Sequence, residues 1–441
     1  MDKDNRIIES LQHMVRFKTV SHEDTTKEDA KAFQGFRAYL EARYPLVNER
    51  APMQRIGDKG VVFEIKGKTD DNPVVLMSHY DVVPENGVWE HPPFEGKLVD
   101  GRLVGRGTLD TKGTLACVME ALEHLLQEGY AFKRTVFAAF SGDEETRGPS
   151  APAIVEHLKK RGVKPGLVLD EGGAVMDDLV PKQRLPVAVV GIAEKGYANL
   201  TIRSTLGAGH ASMPPKHTAV VEVAKAINAL DKGMLFKPKL TGATSMMFQA
   251  LSTVTEAKRV KRAFARPALY FPFIRHHAIQ EGGRLLSFLH TTMAFTQLAG
   301  SDALNVLPAE ATAGVNVRIL PGETVEEVVA KVKARVSRFH VEVTSNKGAD
   351  PTPTSRVDAT FDAVSDVIND VFGEVKVVPY LMMAGTDARY HHDISEHVYR
   401  FSPYRFTERD WASIHAANEA IRLDELMRAF RFYKALIRRV A

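Results

Sequence analysis

The sequence lacks several features that would assign its class at once. Cys117 is its only cysteine in 441 residues, so no intrachain disulfide can form. No apolar run approaches the roughly 18 residues of a membrane-spanning helix, and the amino-terminal segment mixes acidic and basic residues, unlike a secretory signal. Lysine and arginine (58) nearly balance aspartate and glutamate (55), which disfavours nucleic-acid binding. We therefore expect a cytoplasmic protein that binds neither nucleic acid nor membrane.

The first part of the chain has the pattern of an α/β domain. Short apolar runs at residues 74–77, 135–140 and 167–169 have the length of strands buried on both faces. Between the first two, apolar residues recur at helical spacing from Leu115 to Leu126. This alternation predicts a larger, mixed but mostly parallel sheet flanked by helices.

The pattern changes near residue 195 and predicts a second, inserted domain. Apolar and polar residues alternate at residues 197–203 and 313–319, which is typical of an antiparallel sheet solvated on one face. A chain of this length also exceeds the usual size of a single core. We predict a larger domain built from residues 1–194 and 348–441, and a smaller α+β domain from residues 195–347. The chain is expected to end in a helix over residues 416–440.

Polar residues follow each apolar run of the larger domain. Carboxyl ends of parallel strands are where ligands bind in open α/β sheets, so these side chains are expected to converge. Clustered carboxylates repel one another unless protons or cations neutralise them. The pairs at the strand ends are His79 and Asp81, Glu144 and Glu145, and Asp170 and Glu171. Alternatively, the acids of any one pair point into water and hold no metal.

Histidine with several carboxylates and no available thiolate suits zinc or a similar first-row ion. In His79-Tyr-Asp81 the imidazole can face a metal while the carboxylate receives its other ring N–H. Asp110 lies in a glycine-rich segment that lacks the Gly-Lys-Ser/Thr ending of a phosphate loop. His415, just before the last predicted helix, is the best-placed second histidine. Other histidines lack a comparable acid-rich strand end and are set aside: His217, His276, His277, His391 and His392.

These residues resemble the zinc metallopeptidase family twenty, which contains acetylornithine deacetylase, succinyl-diaminopimelate desuccinylase, aminoacylase and glutamate carboxypeptidase. The branch of carboxypeptidase S and the N-acyl-amino-acid hydrolases is the most similar. The likeness covers essentially the whole chain. It rests on motifs in family order: His79-Tyr-Asp81-Val-Val-Pro84, Trp89 with Pro93-Phe-Glu-Gly96, Gly105-Arg-Gly-Thr-Leu-Asp110-Thr-Lys-Gly113, Asp143-Glu144-Glu145, Gly209-His210-Ala-Ser-Met-Pro214, Asn305-Val-Leu-Pro308, Gly385-Thr386-Asp-Ala-Arg389 and His415.

The resemblance implies a catalytic larger domain and a smaller domain that acts as a lid and mediates dimerisation. It implies two zinc ions per subunit, with cobalt or manganese as alternatives, bridged by Asp110. His79 and Asp170 would complete one site, and Glu145 and His415 the other. Asp81 would orient His79, and Glu144 would be the general base.

The resemblance also implies substrate contacts. His210 would help bind the oxyanion, in many relatives across a homodimer interface. Arg318, or Arg389 beside Gly385 and Thr386, would hold the substrate carboxylate, and Asn305 would lie near the substrate. Alternatively, His210 is an ordinary turn residue and Arg318 is an exposed arginine of a strand, neither in contact with substrate.

Two departures from the family pattern leave every ligand in place. Thr111 follows the bridging aspartate where relatives more often have Asp or Met, and Ala416 follows the last histidine where they usually have Gly. The family has a cis peptide after the bridging aspartate.

Two cations a few ångströms apart would lower the pKa of a shared water and polarise a carbonyl, while Glu144 transfers the proton to the departing nitrogen. This predicts hydrolysis of an amide bond next to a free carboxylate, as in a carboxypeptidase. An N-acyl-amino-acid amidohydrolase, similar to aminoacylase, is the alternative, so the small-molecule substrate is a dipeptide or an N-acyl amino acid. A remote third alternative is that the protein binds metal without catalysing a reaction. Aromatic residues 270–273 favour an apolar substrate pocket.

Overall fold

The computed structural model of the protein describes residues 3–441, with side chains from residue 6 onward. The α-helices, numbered along the chain, are α1 (Lys3–Arg16), α2 (Ala30–Arg43), α3 (Pro45–Arg50), α4 (Lys112–Gln127), α5 (Ser150–Lys160), α6 (Ala219–Asp231), α7 (Gly242–Leu251), α8 (Lys258–Ala265), α9 (Phe271–Glu281), α10 (Gly283–Ser287), α11 (Val325–Val336), α12 (Ala359–Phe372), α13 (Glu408–Ser413) and α14 (Leu423–Val440). Short 3-10 helices span Thr25–Lys27 and Asp387–Asp393. Among the described helices, none is long and apolar enough to cross a bilayer.

The strands are β1 (Gln54–Ile56), β2 (Gly60–Ile65), β3 (Thr69–His79), β4 (Lys97–Val99), β5 (Arg102–Val104), β6 (Arg134–Ser141), β7 (Leu167–Met176), β8 (Val187–Glu194), β9 (Gly196–Thr205), β10 (Gly209–His210), β11 (Thr292–Ala299), β12 (Val306–Leu307), β13 (Glu310–Ile319), β14 (Glu342–Ala349), β15 (Lys376–Met382), β16 (Val398–Arg405) and β17 (Ala420–Arg422).

The larger sheet has the order β1-β2-β6-β3-β7-β16-β8-β15 within the described residues. Its central strands β6, β3, β7 and β16 run parallel to their neighbours in this series, whereas β2 is antiparallel to β6. The predicted mixed, mostly parallel sheet is therefore confirmed. The apolar runs predicted as buried strands lie in β3, β6 and β7.

Both faces of this sheet are covered by helices. Alternate residues of each strand point to opposite faces: Val74 and Leu76 of β3 belong to the main core with α4 and α14, whereas Val75 and Met77 pack with α5. Helix α4 is buried along nearly its whole length. Burial on both faces explains why these strands are continuous apolar runs and not alternating ones.

The smaller sheet is antiparallel and has the order β11-β13-β9-β14. Along β13 buried residues alternate with partly exposed ones, as the sequence pattern predicts. Helices α6 and α11 cover one face, where Val223 and Val332 share a core with Ile202 and Val317. The predicted inserted α+β unit is present.

Helices α7 to α10 differ from the predicted division of the chain. They lie between β9 and β13 in sequence, inside the segment assigned to the smaller domain, but Met247, Phe248, Ile274 and Phe288 pack in the core of the larger one. Helix α7 lies against β15 at the edge of the larger sheet. The assignment of residues 195–347 to the smaller domain is corrected here, because it follows chain order whereas these helices bury their apolar side chains against the larger sheet.

The last helix begins at Leu423, later than the predicted residue 416. Residues 420–422 instead form β17, which pairs with β5. His415 and Asn418 have φ values of +62° and +61°, which a continuous helix does not permit. The non-helical segment before α14 leaves His415 and Glu419 free to face the centre described below.

Candidate metal centre

The candidate metal ligands meet at the carboxyl ends of the central strands. His79 is the last residue of β3, Glu145 follows β6, and Glu171 lies in β7. Asp110 precedes α4, and His415 follows α13. The convergence predicted from the strand ends is therefore present, and it joins residues from distant parts of the chain.

Two clusters share Asp110, each through a different carboxylate oxygen. In the first, His79 Nε2 lies 2.9 Å from Asp110 Oδ1 and 3.3 Å from Glu171 Oε1. In the second, His415 Nε2 lies 2.9 Å from Asp110 Oδ2 and 3.3 Å from Glu145 Oε1. Within each cluster the three ligand atoms lie within 4.8 Å of one another. One carboxylate between two such groups is the arrangement expected for a bridging ligand.

Asp170, the expected ligand, belongs to neither cluster, whereas its neighbour Glu171 belongs to the first. The Asp170 carboxylate accepts hydrogen bonds from the backbone N–H groups of Glu171 and Ala388, at 2.9 Å each. Successive residues of a strand point to opposite sides, and Glu171 is the one of the two that lies 3.3 Å from His79. Asp170 holds the backbone beside the centre, and Glu171 is the residue that could offer a ligand atom.

Asp81 lies behind His79, as expected. Its Oδ1 is 3.3 Å from His79 Nδ1, and its carboxylate accepts hydrogen bonds at 3.1 Å from the backbone N–H groups of Glu144 and Glu145. Ser21 donates a further hydrogen bond at 2.7 Å. A single buried carboxylate thus orients both the imidazole ligand and the turn that carries Glu144 and Glu145.

The loop that carries Asp110 is closely packed against its surroundings. A Cβ added to Gly113 would lie 2.3 Å from the carbonyl oxygen of Thr108, so the backbone approaches too closely for any side chain. Gly107 has a φ of +89°, in the left-handed region. The peptide bond between Asp110 and Thr111 is cis, as the family resemblance implied.

The ionisable groups of the centre shift one another's pKa values. Burial, and then the Asp110 carboxylate, raise the pKa of Glu145, and the same two causes raise the pKa of Glu171 to about 8. Hydrogen bonds to Asp110 and Glu145 raise the pKa of His415 to about 10. Glu145 Oε1 is buried and faces His415 Nε2 at 3.3 Å. Divalent ions would compensate the clustered carboxylates, and the nitrogen and oxygen donors fit zinc, cobalt or manganese.

The Glu144 carboxylate stands apart from both clusters. It makes no hydrogen bond or ion pair with the described residues, and burial raises its pKa well above the ordinary value. Its backbone is held by Asp81, as described above. A half-buried carboxylate that follows Asp143 and precedes Glu145, and that belongs to neither cluster, is available to take up a proton.

Arginines surround Tyr197 near the start of β9. The Arg147 guanidinium stacks on the Tyr197 ring at 3.6 Å from its centroid, and Arg389 lies 5.8 Å from it. Arg318 is the direct partner of Tyr197 in the β9–β13 ladder. Burial, and then repulsion from Arg147 and Arg389, lower the pKa of Arg318. This excess of positive charge is suited to an anion.

The arginines differ in how far they are already paired. Arg389 donates to the carbonyl oxygen of Asp350 at 2.6 Å and lies 3.7 Å from Glu194. Arg318 has an amide partner, Asn316, at 3.1 Å, and Arg147 has no acidic partner among the described residues. Thr386 donates its hydroxyl to Glu194, and Gly385 lies against Arg389. Arg147 and Arg318 are therefore the groups most available to a carboxylate.

His210 and Asn305 lie together in the smaller domain. His210 is in β10, which pairs with β12, and the backbone N–H of Ala211 donates to the carbonyl oxygen of Asn305 at 3.0 Å. Both side chains are exposed. Within residues 3–441, none of their hydrogen bonds reaches a metal ligand, so their predicted contacts with substrate stay predictions.

Two cavities lie beside helices α7 to α10. The first, of about 550 Å³, is lined by Gly172 and Gly173, which follow Glu171 in β7, and by Trp411 of α13. Arg284 and Tyr380 also line it, and both residues line a second cavity of about 630 Å³. The second cavity is mainly apolar, with these further lining residues: Met247, Phe248, Leu251, Val260, Phe264, Phe273, Ile274 and Phe288.

Sequence reasoning missed Glu171 as a ligand, and it missed Arg147, Tyr197 and Glu419. Glu171 adjoins the residue that was chosen, and no sequence signal separates the two. Arg147 lies two residues after Glu145, and this position near the acids could have marked it. Tyr197 and Glu419 gain their roles only from contacts between distant segments.

Comparisons with known proteins identify the family of the chain. A model of peptidase family M20/M25/M40 matches residues 75–439. The N-fatty-acyl-amino acid synthase/hydrolase PM20D1 of Xenopus tropicalis is 33% identical over 98% of this chain and 85% of its own length. The probable carboxypeptidase S-like 2 of Dictyostelium discoideum is 28% identical over 99% of this chain and 85% of its own length.

Solved structures share the fold. The M20 family metallo-carboxypeptidase Sso-CP2 of Sulfolobus solfataricus aligns with a TM-score of 0.74 at 18% identity, over 100% of this chain and 99% of that one. The YXEP protein of Bacillus subtilis, a dinuclear metal binding peptidase, aligns with a TM-score of 0.58 at 16% identity, over 99% and 97% of the two chains.

Proposed function

Because the chain belongs to peptidase family M20/M25/M40, we propose that it is a dinuclear metal-dependent hydrolase of amide bonds next to a free carboxylate. Its substrate is an N-acyl amino acid with a long apolar acyl chain. The observation that carries the proposal is the pair of His and carboxylate clusters that share Asp110. His79, Asp110 and Glu171 would hold one ion, and Asp110, Glu145 and His415 the other.

Two bound zinc ions, or cobalt or manganese in their place, would polarise the scissile carbonyl and lower the pKa of a bound water. Glu144 takes up the proton of the attacking water and delivers it to the departing nitrogen. Three features support this role: its position beside the ligands, its lack of a competing partner among the described residues, and a pKa raised well above its ordinary value by burial. Asp81 holds Glu144 at its backbone, which keeps the base in register with His79.

The substrate carboxylate binds at Arg147 and Arg318, with Arg389 adjoining. A guanidinium pairs with a carboxylate through parallel hydrogen bonds, and neither Arg147 nor Arg318 has an acidic partner to displace. Arg147 lies only two residues after Glu145. An anchor this close to the ligands suits a carboxylate that adjoins the scissile amide.

The cavities favour a long acyl chain over a dipeptide. The first cavity is lined by Gly172, the residue after Glu171, and it shares Arg284 and Tyr380 with the second, which lies between α7 and α9. A small second amino acid would leave the farther cavity of about 630 Å³ unfilled. Each buried methylene contributes roughly 0.8 kcal/mol, so affinity should rise with acyl length. The relative of Xenopus tropicalis is named for N-fatty-acyl-amino acids.

A panel of N-acyl amino acids and dipeptides, assayed with zinc, cobalt and manganese, tests the function. We expect chelator-sensitive hydrolysis and a kcat/KM that rises from N-acetyl to N-oleoyl substrates. Glu144→Gln should keep two metal ions and lose at least 100-fold in kcat. Faster cleavage of dipeptides would favour a carboxypeptidase, and no hydrolysis with any metal would favour a non-catalytic metal-binding protein.

The cavity has its own matched pair of variants. Ala263 on α8 is buried at the cavity wall, whereas Ala265 on the same helix is exposed. Ala263→Phe should narrow the cavity and lower kcat/KM for long acyl chains but not for N-acetyl substrates. Ala265→Phe should leave both unchanged. An equal effect of the two variants would contradict the acyl site.

The smaller domain contributes His210 and Asn305 to the proposal. Closure of this domain over the centre would bring His210 to the oxyanion in a site from which water is excluded. His210→Ala should lower kcat while the metal content stays unchanged, and a parallel loss of metal would contradict this role. We also propose a homodimer through this domain, supported by the exposed apolar side chains of Val220, Val221 and Leu298. A monomer by light scattering would contradict the homodimer.

A further inference from the structure

A third cluster of two histidines and a carboxylate lies in the smaller domain. His217 precedes α6, Glu222 is in the first turn of α6, and His340 lies between α11 and β14. His217 Nδ1 is 2.9 Å from Glu222 Oε1, and His340 Nδ1 is 3.4 Å from Glu222 Oε2. We propose that these residues bind a first-row divalent cation such as zinc, separately from the two ions at Asp110.

The spacing of the donor atoms is similar to that of the candidate metal centre. There, one histidine nitrogen lies 2.9 and 3.3 Å from oxygens of two carboxylates. Here, two histidine nitrogens lie 2.9 and 3.4 Å from the two oxygens of one carboxylate, so the donor set is two histidines and one acid. Ligand atoms at about 2.1 Å from a tetrahedral zinc lie about 3.4 Å apart. A zinc ion could therefore enter with small side-chain movements, and water would complete its coordination.

The cluster combines a buried charge with open access. The Glu222 side chain is 2% exposed, whereas His217 and His340 are 39% and 56% exposed. Hydrogen bonds from Lys225 and then His217 lower the pKa of Glu222 to about 2, so its carboxylate is ionised. An ion can reach it from solvent through the two imidazoles, whose ring centroids are 4.6 Å apart.

Lys225 is the competitor for this carboxylate. Its Nζ lies 2.8 Å from Glu222 Oε1, one turn along α6, and its side chain is 45% exposed. The ammonium group can turn to solvent when a cation binds, because a long exposed side chain loses little there. The backbone N–H of His340, at 3.2 Å from Glu222 Oε2, can stay in place.

The bound ion would link two segments that are distant in sequence. Glu222 and His340 are separated by 118 positions, and the ion would join the start of α6 to the segment before β14. Both flank the core of the smaller domain. Metal binding should therefore stabilise this domain without altering the centre at Asp110.

The test is the metal content of the full chain after equilibration with zinc and dialysis. We expect three ions per chain in the unaltered protein, two in His217→Ala and in His340→Ala, and three in His276→Ala, whose histidine is exposed on α9. Two ions in the unaltered protein, or three in both cluster variants, would overturn the proposal. Circular dichroism of each variant checks that it has folded.

Two further measurements separate this site from the one at Asp110. The double variant His79→Ala/His415→Ala should still bind one cobalt ion with a tetrahedral absorption spectrum, and adding His217→Ala should abolish that spectrum. Lys225→Ala should tighten zinc binding by about tenfold in calorimetry, because it removes the competing cation. Unchanged or weaker binding in Lys225→Ala, or a cobalt spectrum that survives His217→Ala, contradicts the site.

Discussion

Arg106 and Glu419 form a buried ion pair across 313 residues of sequence, directly behind the bridging aspartate. Arg106 Nη1 donates to Glu419 Oε2 at 2.8 Å, and both side chains are at most 1% exposed. The Glu419 carboxylate also accepts hydrogen bonds from the backbone N–H groups of Gly107, Leu109 and Asp110, at 3.1, 2.8 and 3.3 Å. The carboxyl-terminal part of the chain therefore sets the position of Asp110.

Glu419→Gln should destabilise the protein strongly. The neutral amide leaves the Arg106 charge buried without a counter-charge, which typically costs about 3–5 kcal/mol. The measurement is urea unfolding of the metal-free protein at neutral pH. Metal affinity should fall as well, because the amide replaces one of the two oxygens that accept hydrogen bonds from the loop that carries Asp110 with an NH2 donor.

The matched control is the exposed pair of Arg356 and Glu396, whose side chains are 62% and 64% exposed. An exposed ion pair contributes about 0–1 kcal/mol, so Glu396→Gln should change the free energy of unfolding little. Equal effects of the two substitutions would show that the buried pair does not hold the loop.

Glu171 and Asp170 should respond differently to the loss of charge. Glu171→Gln removes a ligand oxygen, so one of the two ions at the centre should bind at least tenfold more weakly. Asp170→Asn keeps one acceptor for the backbone and should retain both ions, at a cost in stability of about 1–3 kcal/mol. Calorimetric titration with zinc and urea unfolding measure the two effects. Loss of metal in Asp170→Asn alone would restore Asp170 as the ligand.

Local patterns suffice to predict the strands and the residues at their ends. The runs that became β3, β6 and β7 are apolar throughout because both faces are buried, and this feature is visible in any short window of sequence. His79 stands in a motif whose spacing predicts its chemistry, and the acid-rich strand ends mark Glu144 and Glu145. The assignment of Asp110, Glu145 and His415 to two metal sites follows from the family resemblance and not from spacing.

The choice between Asp170 and Glu171 depends on a geometry that the sequence does not contain. Both are acids at one strand end, and the pairing of β7 with β16 is irregular just after Arg400, the partner of Asp170. A shift of one residue exchanges the side chains that face the centre. The packing of α7 against β15 cannot be predicted from the sequence for a similar reason. The apolar face of an amphipathic helix does not specify which of two sheets it covers.

Arg147 and Arg318 should both contribute to the binding of substrates that have a free carboxylate. Hydrogen bonds to a charged group are worth about 1.5–3 kcal/mol each, so Arg147→Ala and Arg318→Ala should each raise KM by about 10-fold to 100-fold. An N-acyl amino acid amide, which lacks the carboxylate, should show no such difference between variants.

Arg203→Ala is the control for both arginines. Arg203 is an exposed arginine of β9 that pairs with Glu310, and its removal should leave KM unchanged. The comparison uses steady-state kinetics on the acid and on the amide of one N-acyl amino acid. An equal rise of KM for the amide would show that the arginines do not bind the carboxylate.

His391 should make the protein sensitive to acid. It is fully buried, and neither ring nitrogen has a hydrogen-bond partner among the described residues. Burial, and then repulsion from Arg400, lower the pKa of His391 to about 3, against about 6.5 in the unfolded chain. Between these values the unfolded chain binds a proton that the folded protein does not, so stability falls as the pH is lowered from about 6.5 toward 3.

The variant His391→Leu removes this proton uptake and should flatten the acid limb of the stability profile. Between pH 6.5 and pH 5 the free energy of unfolding should fall by about 2 kcal/mol more in the unaltered protein than in His391→Leu. Urea unfolding at each pH measures this difference. His276→Leu, at an exposed position of α9, should follow the unaltered protein. If His391→Leu loses stability in parallel with the unaltered protein over this range, His391 is protonated in the folded state. Burial, and then repulsion from Arg400, also lower the pKa of the neighbouring His392 to about 3. In that case His392 would account for the acid sensitivity.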